Sequence, residues 1–184
     1  MNMKKLNPLT LLLLLSFAFT QFSLAADTNA QKLDNQVDLA IKKFKQDIPG
    51  GEKFLTKVKG YLVFPSVYKG GFIKGGKYGK GALRVEDTTK YYNSMTAASI
   101  GYQAGVQEHS VLIAFISEAS LNNFIKSNGW EAGVDGSVIV ADWGKAKDIS
   151  SISYEKPIVG FIFGEQGLMA GVSIQGTKFK RIVP

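Results

Sequence analysis

The sequence predicts an α+β protein: one domain in which a strongly twisted, mostly antiparallel β-sheet, able to close toward a barrel, is packed by a few helices. Three observations predict it. Near the start, apolar residues recur at helical spacing over about twenty residues. From Tyr61 onward the pattern changes to short apolar runs separated by glycine-rich turns. No linker, fixed-period repeat or low-complexity segment divides the 184 residues. The chain has no cysteine, so its core alone must hold it together, and a chain of this length can bury one.

Residues 1–25 read as a secretory signal peptide. Lys4 and Lys5 precede an apolar run from Leu9 to Phe22, and Ser23-Leu24-Ala25 supplies small residues at a cleavage site. The continuous apolar core is shorter than the roughly 20 residues of a membrane span. The expected mature domain is therefore 26–184, exported to the periplasm or the extracellular space. Cleavage removes two lysines and no acid, so the formal charge falls from +7 to +5.

A helix is expected over about 28–48, opened by a capping box at Thr28 and Gln31 and stopped by Pro49-Gly50-Gly51. Leu33, Val37, Ala40, Ile41, Phe44 and Ile48 form its apolar face. Asp34 and Asp38 mix with Lys42 and Lys45 on the other face, which suits packing on a core better than lying on a membrane. A helical turn through Phe54, Leu55 and Val58 leads into a strand, Tyr61–Phe64, ended by Pro65. Gly71–Lys74 and Gly81–Val85 read as the arms of a hairpin around a glycine-rich turn. Thr96–Gln107 reads as a strand with Gly101 and Gly105 on one structural face, and Val111–Ile116 as a strand buried on both sides. Ser117 caps a helix carrying Leu121, Phe124 and Ile125, ended at Asn128-Gly129. Val134–Ala141 is strand-like, and a polar connection follows. Ile158–Phe163, Leu168–Ile174 and Thr177–Ile182 read as a meander turning at 164–167 and at Gln175-Gly176.

Charge is distributed unevenly. Between Lys53 and Val85 stand Lys53, Lys57, Lys59, Lys69, Lys74, Lys77, Lys80 and Arg84, with no Asp or Glu, interleaved with glycine and aromatic residues. Clustered like charges add their fields, so this stretch suits an anionic partner. Nucleic acid fits the composition but not the export signal.

Catalytic patterns are weak. Gly71 to Lys77 has the glycine and lysine spacing of a phosphate-binding loop, but Tyr78 stands where the magnesium-binding hydroxyl belongs and the context is strand–turn–strand. His109 is the only histidine; with no thiol, neither a metal cluster nor a Cys–His pair can be assembled, and it reads as structural or solvent-facing. No G-x-S-x-G elbow surrounds a serine. The expectation is a non-enzymatic protein without cofactor or metal.

The ordered set Gly60–Pro65, Gly70-Gly71-Phe72 with Gly79-Lys80-Gly81, Ser99–Gly105 and Gly167–Gly176 resembles the SYLF-domain family of lipid-binding proteins in its bacterial exported form, over roughly residues 53–184. The resemblance implies a non-enzymatic domain binding membrane phospholipids; fungal members are also associated with actin. Many members carry a Trp-Ser-x-Pro motif, where this chain has Tyr91-Tyr92-Asn93-Ser94. The combined expectation is a phospholipid-binding module of the cell envelope that docks peripherally on anionic headgroups through a basic hairpin. Its site residues would be Lys69, Phe72, Lys74, Lys77, Tyr78, Lys80 and Arg84. The alternative is an envelope protein-interaction or structural module with no specific lipid ligand.

Overall fold

The computed structural model describes residues 8–70, 74–100, 108–127, 129–141, 148–152, 155–165, 167–169 and 173–184. Side chains are described from Thr28 onward, except at 69, 70, 74, 75, 98–100 and 151.

The first helix, α1, runs Pro8–Asp47 without a break. It does not begin at Thr28, because the leucine-rich residues ahead of Thr28 are themselves good helix formers, leaving Thr28 inside the helix. From Leu33 on, the expected apolar face is the buried one: Val37, Phe44 and Ile48 are essentially inaccessible. Among the described residues no helix is long and apolar enough to cross a membrane. A short helix, α2 (Gly51–Leu55), turns the chain into the sheet.

The sheet is built from β1 (Gly60–Gly70), β2 (Lys74–Val85), β3 (Thr88–Ile100), β4 (Glu108–Phe115), β5 (Trp130–Glu131), β6 (Ile139–Val140), β7 (Ile158–Gly164), β8 (Gly167–Leu168) and β9 (Lys178–Ile182). Its order is β5-β9-β3-β2-β1-β4-β7-β6, with β8 on β7. Every strand pair is antiparallel except β6 with β7. The sheet curls into a half-barrel, as the α+β reading expected. The curl brings Trp130 of β5 and Ile158 of β7 together around Gly136, although many strands separate them along the sheet.

Two apolar cores lie on opposite faces of this sheet. On one, α1 and α2 pack Phe44 and Phe54 against Phe161, with ring centroids 5.1 Å apart in both pairs, and Tyr61, Val63, Ala82, Leu112 and Ala114 join them. The other holds Leu62, Phe64, Val67, Leu83, Met95, Val111 and Ile113, together with Phe124, Trp130 and Phe179. Phe124 comes from α3 (Glu118–Lys126), which Ser117 caps by accepting from the Ser120 N–H at 3.2 Å.

Several expectations need correction. Pro65 does not end the first strand. It sits in a bulge where β1 carries one extra residue against both neighbours, between Val63 and Ser66 toward β2 and between Phe64 and Val67 toward β4. A bulge is one of the few places an inner strand tolerates proline; its carbonyl accepts from the Ser110 hydroxyl at 2.7 Å. The glycine-rich stretch is not a turn between short arms either. Lys74–Val85 is one continuous strand, antiparallel to β1 with Gly70 opposite Gly76, and Gly71–Ile73 of the expected first arm lie outside the described residues. The C-terminal meander is also wrong: β9 crosses to pair with β3 and β5 rather than returning along β8, because Phe179 is needed in the core between Met95 and Trp130. Val134–Ala141 lies mostly outside the sheet, with only Ile139–Val140 forming a strand in it. Gly101 and Gly105 lie outside the described residues.

Candidate functional site

The cation-rich β1–β2 hairpin lies beside α1, and its register sorts the expected site residues. Tyr68 stands opposite Tyr78, and Ser66 opposite Lys80. Successive residues of a strand alternate faces, so Tyr78 and Lys80 share one face, that of α1. There the two tyrosine rings are about half exposed, at 49% and 47%, and Lys80 is exposed. With Asn29, Lys32, Leu33 and Gln36 of α1 they line a groove of about 330 Å³.

Lys77 faces the opposite way and is half buried. Across the intervening β1 its charge acts on His109, which is buried (7% exposed). Burial first, and the Lys77 charge second, hold the imidazole below its ordinary pKa. Of the two expected readings of His109, the structural one is correct. Lys69 pairs in register with Lys77, and Lys74 opens β2 opposite Ile100. The side chains of Lys69 and Lys74, and all of Phe72, lie outside what the structure describes.

Arg84 has to be removed from the expected site. It is 8% exposed, and its guanidinium lies 2.6 Å from Asp38 and 3.4 Å from Asp34, both on α1. A buried cation needs such partners, so Arg84 is a tie between helix and sheet. The tie extends further: Asp34 also accepts from the Thr89 and Tyr92 hydroxyls, each at 2.7 Å. Burial, then the bond to Asp34, pushes the Tyr92 phenol up to about 12. Next to this cluster the Tyr61 hydroxyl donates to Asp87 at 2.5 Å, and burial raises its pKa also. Asp87 and Glu86 both take positive φ in the β2–β3 turn. Tyr92 thus anchors α1 at the position where the resemblance noted a departing motif.

The sequence reading missed Lys32, Gln36, Ser66 and Tyr68. Tyr68 stood in the basic stretch, but only the hairpin register pairs it with Tyr78. Nothing in the α1 pattern points at Lys32. Among the described residues no cluster of His, Asp or Glu could hold a metal ion. The lysines, phenols and amide of the groove are hydrogen-bond donors suited to an anion.

The family model described as Ysc84, Las17-binding protein actin regulator, matches residues 96–181. That span matches the SYLF-domain family, the one that the sequence resembles. This is a family of lipid-binding proteins and actin regulators. The SYLF match begins inside β3 and ends inside β9, so α1 and the hairpin lie upstream of it. No curated protein matches the chain.

Proposed function

We propose that this protein is a non-enzymatic phospholipid-binding module of the cell envelope, exported by its signal peptide and docking peripherally on anionic membrane surfaces through the β1–β2 hairpin. The observation that carries this reading is the hairpin face itself. Two half-exposed tyrosines stand side by side with an exposed lysine, in strands that contain no acidic residue. Tyrosines favour the headgroup level of a bilayer, where an apolar ring and a polar tip are both satisfied. Each well-placed lysine adds on the order of 1 kcal/mol of attraction to an anionic leaflet. Co-sedimentation with phosphatidylglycerol or cardiolipin vesicles tests it. Binding should be strong at low salt, weaken as salt rises, and fall sharply when Lys74, Lys77 and Lys80 are all replaced by Glu, which takes the expected mature charge from +5 to −1.

A second reading, an envelope protein-interaction module, draws on the matched family's description as binding a protein, Las17. Absence of vesicle binding at low salt would favour it.

A further inference from the structure

Four grooves on the described surface differ in charge. On one flank of α1, Asp38, Glu52 and Asp87 are mixed with Lys42 and Lys45. Beside β4 and β7, Glu108 and Glu165 face Lys43. At the end of the sheet near α2 and α3, Glu86, Asp87 and Glu118 offset Lys59 and Lys90. In the fourth, the groove of about 330 Å³ between α1 and the hairpin, the charged side chains are Lys32 and Lys80, with no carboxylate side chain among the lining residues. Neither lysine forms a salt bridge among the described residues. The hydroxyls of Ser66, Tyr68 and Tyr78 and the amides of Gln36 and Asn29 also line it, with Leu33, Pro65, Gly79 and Pro184, the residue that carries the α-carboxylate.

We propose that this groove seats the phosphate of one anionic phospholipid headgroup, held between Lys32 on the helix wall and Lys80 on the sheet wall. The proposal rests on the phospholipid-binding reading and adds a location to it: half of the seat belongs to α1, upstream of the hairpin. An ionised phosphodiester has only acceptor oxygens, and ammonium groups and phenols opposite one another can satisfy several of them at once. The rings of Tyr68 and Tyr78 then lie against the glycerol and upper acyl region, where their half-exposed faces lose contact with water. The docking of α1 by Arg84 fixes the distance between the two lysine-bearing walls, so the seat is built before the lipid arrives.

The test uses charge reversals of equal size at different places. Wild type, Lys32→Glu, Lys80→Glu and Lys42→Glu are compared for binding to vesicles of equimolar phosphatidylglycerol and phosphatidylcholine. Lys42 is exposed and on the same helix, but it lines the mixed-charge groove. Lys32→Glu and Lys80→Glu should each weaken binding about tenfold, and Lys42→Glu by less than about threefold. All three positions are exposed, so melting temperatures should match wild type and report intact folding. Equal losses from all three variants would overturn the seat while leaving phospholipid binding by diffuse charge. No vesicle binding by wild type would overturn both the seat and the reading beneath it. NMR titration with soluble dihexanoyl phosphatidylglycerol should shift the amides of Ser66, Tyr68 and Tyr78. If inorganic phosphate gives the same shifts while vesicles do not bind, the groove takes free phosphate and the lipid assignment fails.

Discussion

Arg84 shows how one side chain can look like a surface cation in sequence and act as a brace in the fold. Its charge is neutralised by Asp34 and Asp38, and its Nε has no partner among the described residues. Arg84→Met should therefore leave vesicle binding nearly intact where the protein remains folded, yet lower stability by roughly 1–3 kcal/mol in urea unfolding, because Asp34 loses its counter-charge where it is partly buried. His109 gives a second prediction at this scale. Its folded pKa lies below the ordinary value of 6.5, so between the two values the unfolded chain binds more protons than the native one. The neutral imidazole's contribution is fully present above about pH 6.5 and is lost as pH falls from there toward the depressed folded value. His109→Gln should remove that part of the pH dependence. Unfolding midpoints at pH 7.5 and 5.5 will draw closer in the variant than in wild type. An unchanged pH profile would mean that His109 binds its proton equally well in the folded and unfolded chain, which would overturn the burial effect.

Among the elements, the glycines of β2 serve different purposes. A methyl group on Gly81 would lie 2.0 Å from the Val63 carbonyl oxygen and 2.7 Å from the Phe64 ring, whereas one on Gly76 would come no nearer than 3.7 Å to the Ala97 carbonyl oxygen. Gly81→Ala should cost roughly 1–3 kcal/mol by overpacking, and Gly76→Ala should be close to neutral in the same melting experiment. Those contacts also explain what the sequence left hidden. Helix α1 was readable because its periodic apolar face, Leu33 to Ile48, is a local pattern, and β4 because an unbroken apolar run needs cover on both sides. The glycines of β2 read as a turn since local criteria cannot see the β1 backbone pressing on Gly81. Partner choice was equally invisible: β9 has the alternation of a hairpin arm, yet the place open to Phe179 lies across the sheet. Of the residues that line the proposed groove, Tyr78 and Lys80 were among those the sequence suggested. It placed Arg84 on the wrong side of the surface and offered no sign of the wall contributed by Lys32.

For the molecule as a whole, the continuous helix Pro8–Asp47 joins the expected export signal to the helix that packs on the sheet. N-terminal sequencing of protein recovered from the envelope fraction should begin at Ala26, just ahead of the part of α1 that enters the core. Recovery of chains still starting at Met1, and resistant to alkaline carbonate, would instead make the leader a permanent anchor. The hairpin's outward display depends on a single residue count. Before the bulge, Tyr61 and Val63 belong to the core under α1, and Leu62 and Phe64 to the core on the other face. Beyond Pro65 the parity is reversed, so that odd-numbered Val67 points to the second core and even-numbered Tyr68 joins the groove. Pro65 therefore works as a phase shift in a two-beat pattern. If the strand ran through that position without a bulge, it would keep every lysine and tyrosine of the groove while turning Val67 toward the helix and Tyr68 into the apolar interior. The surface offered to a membrane would be inverted without the loss of a single charge.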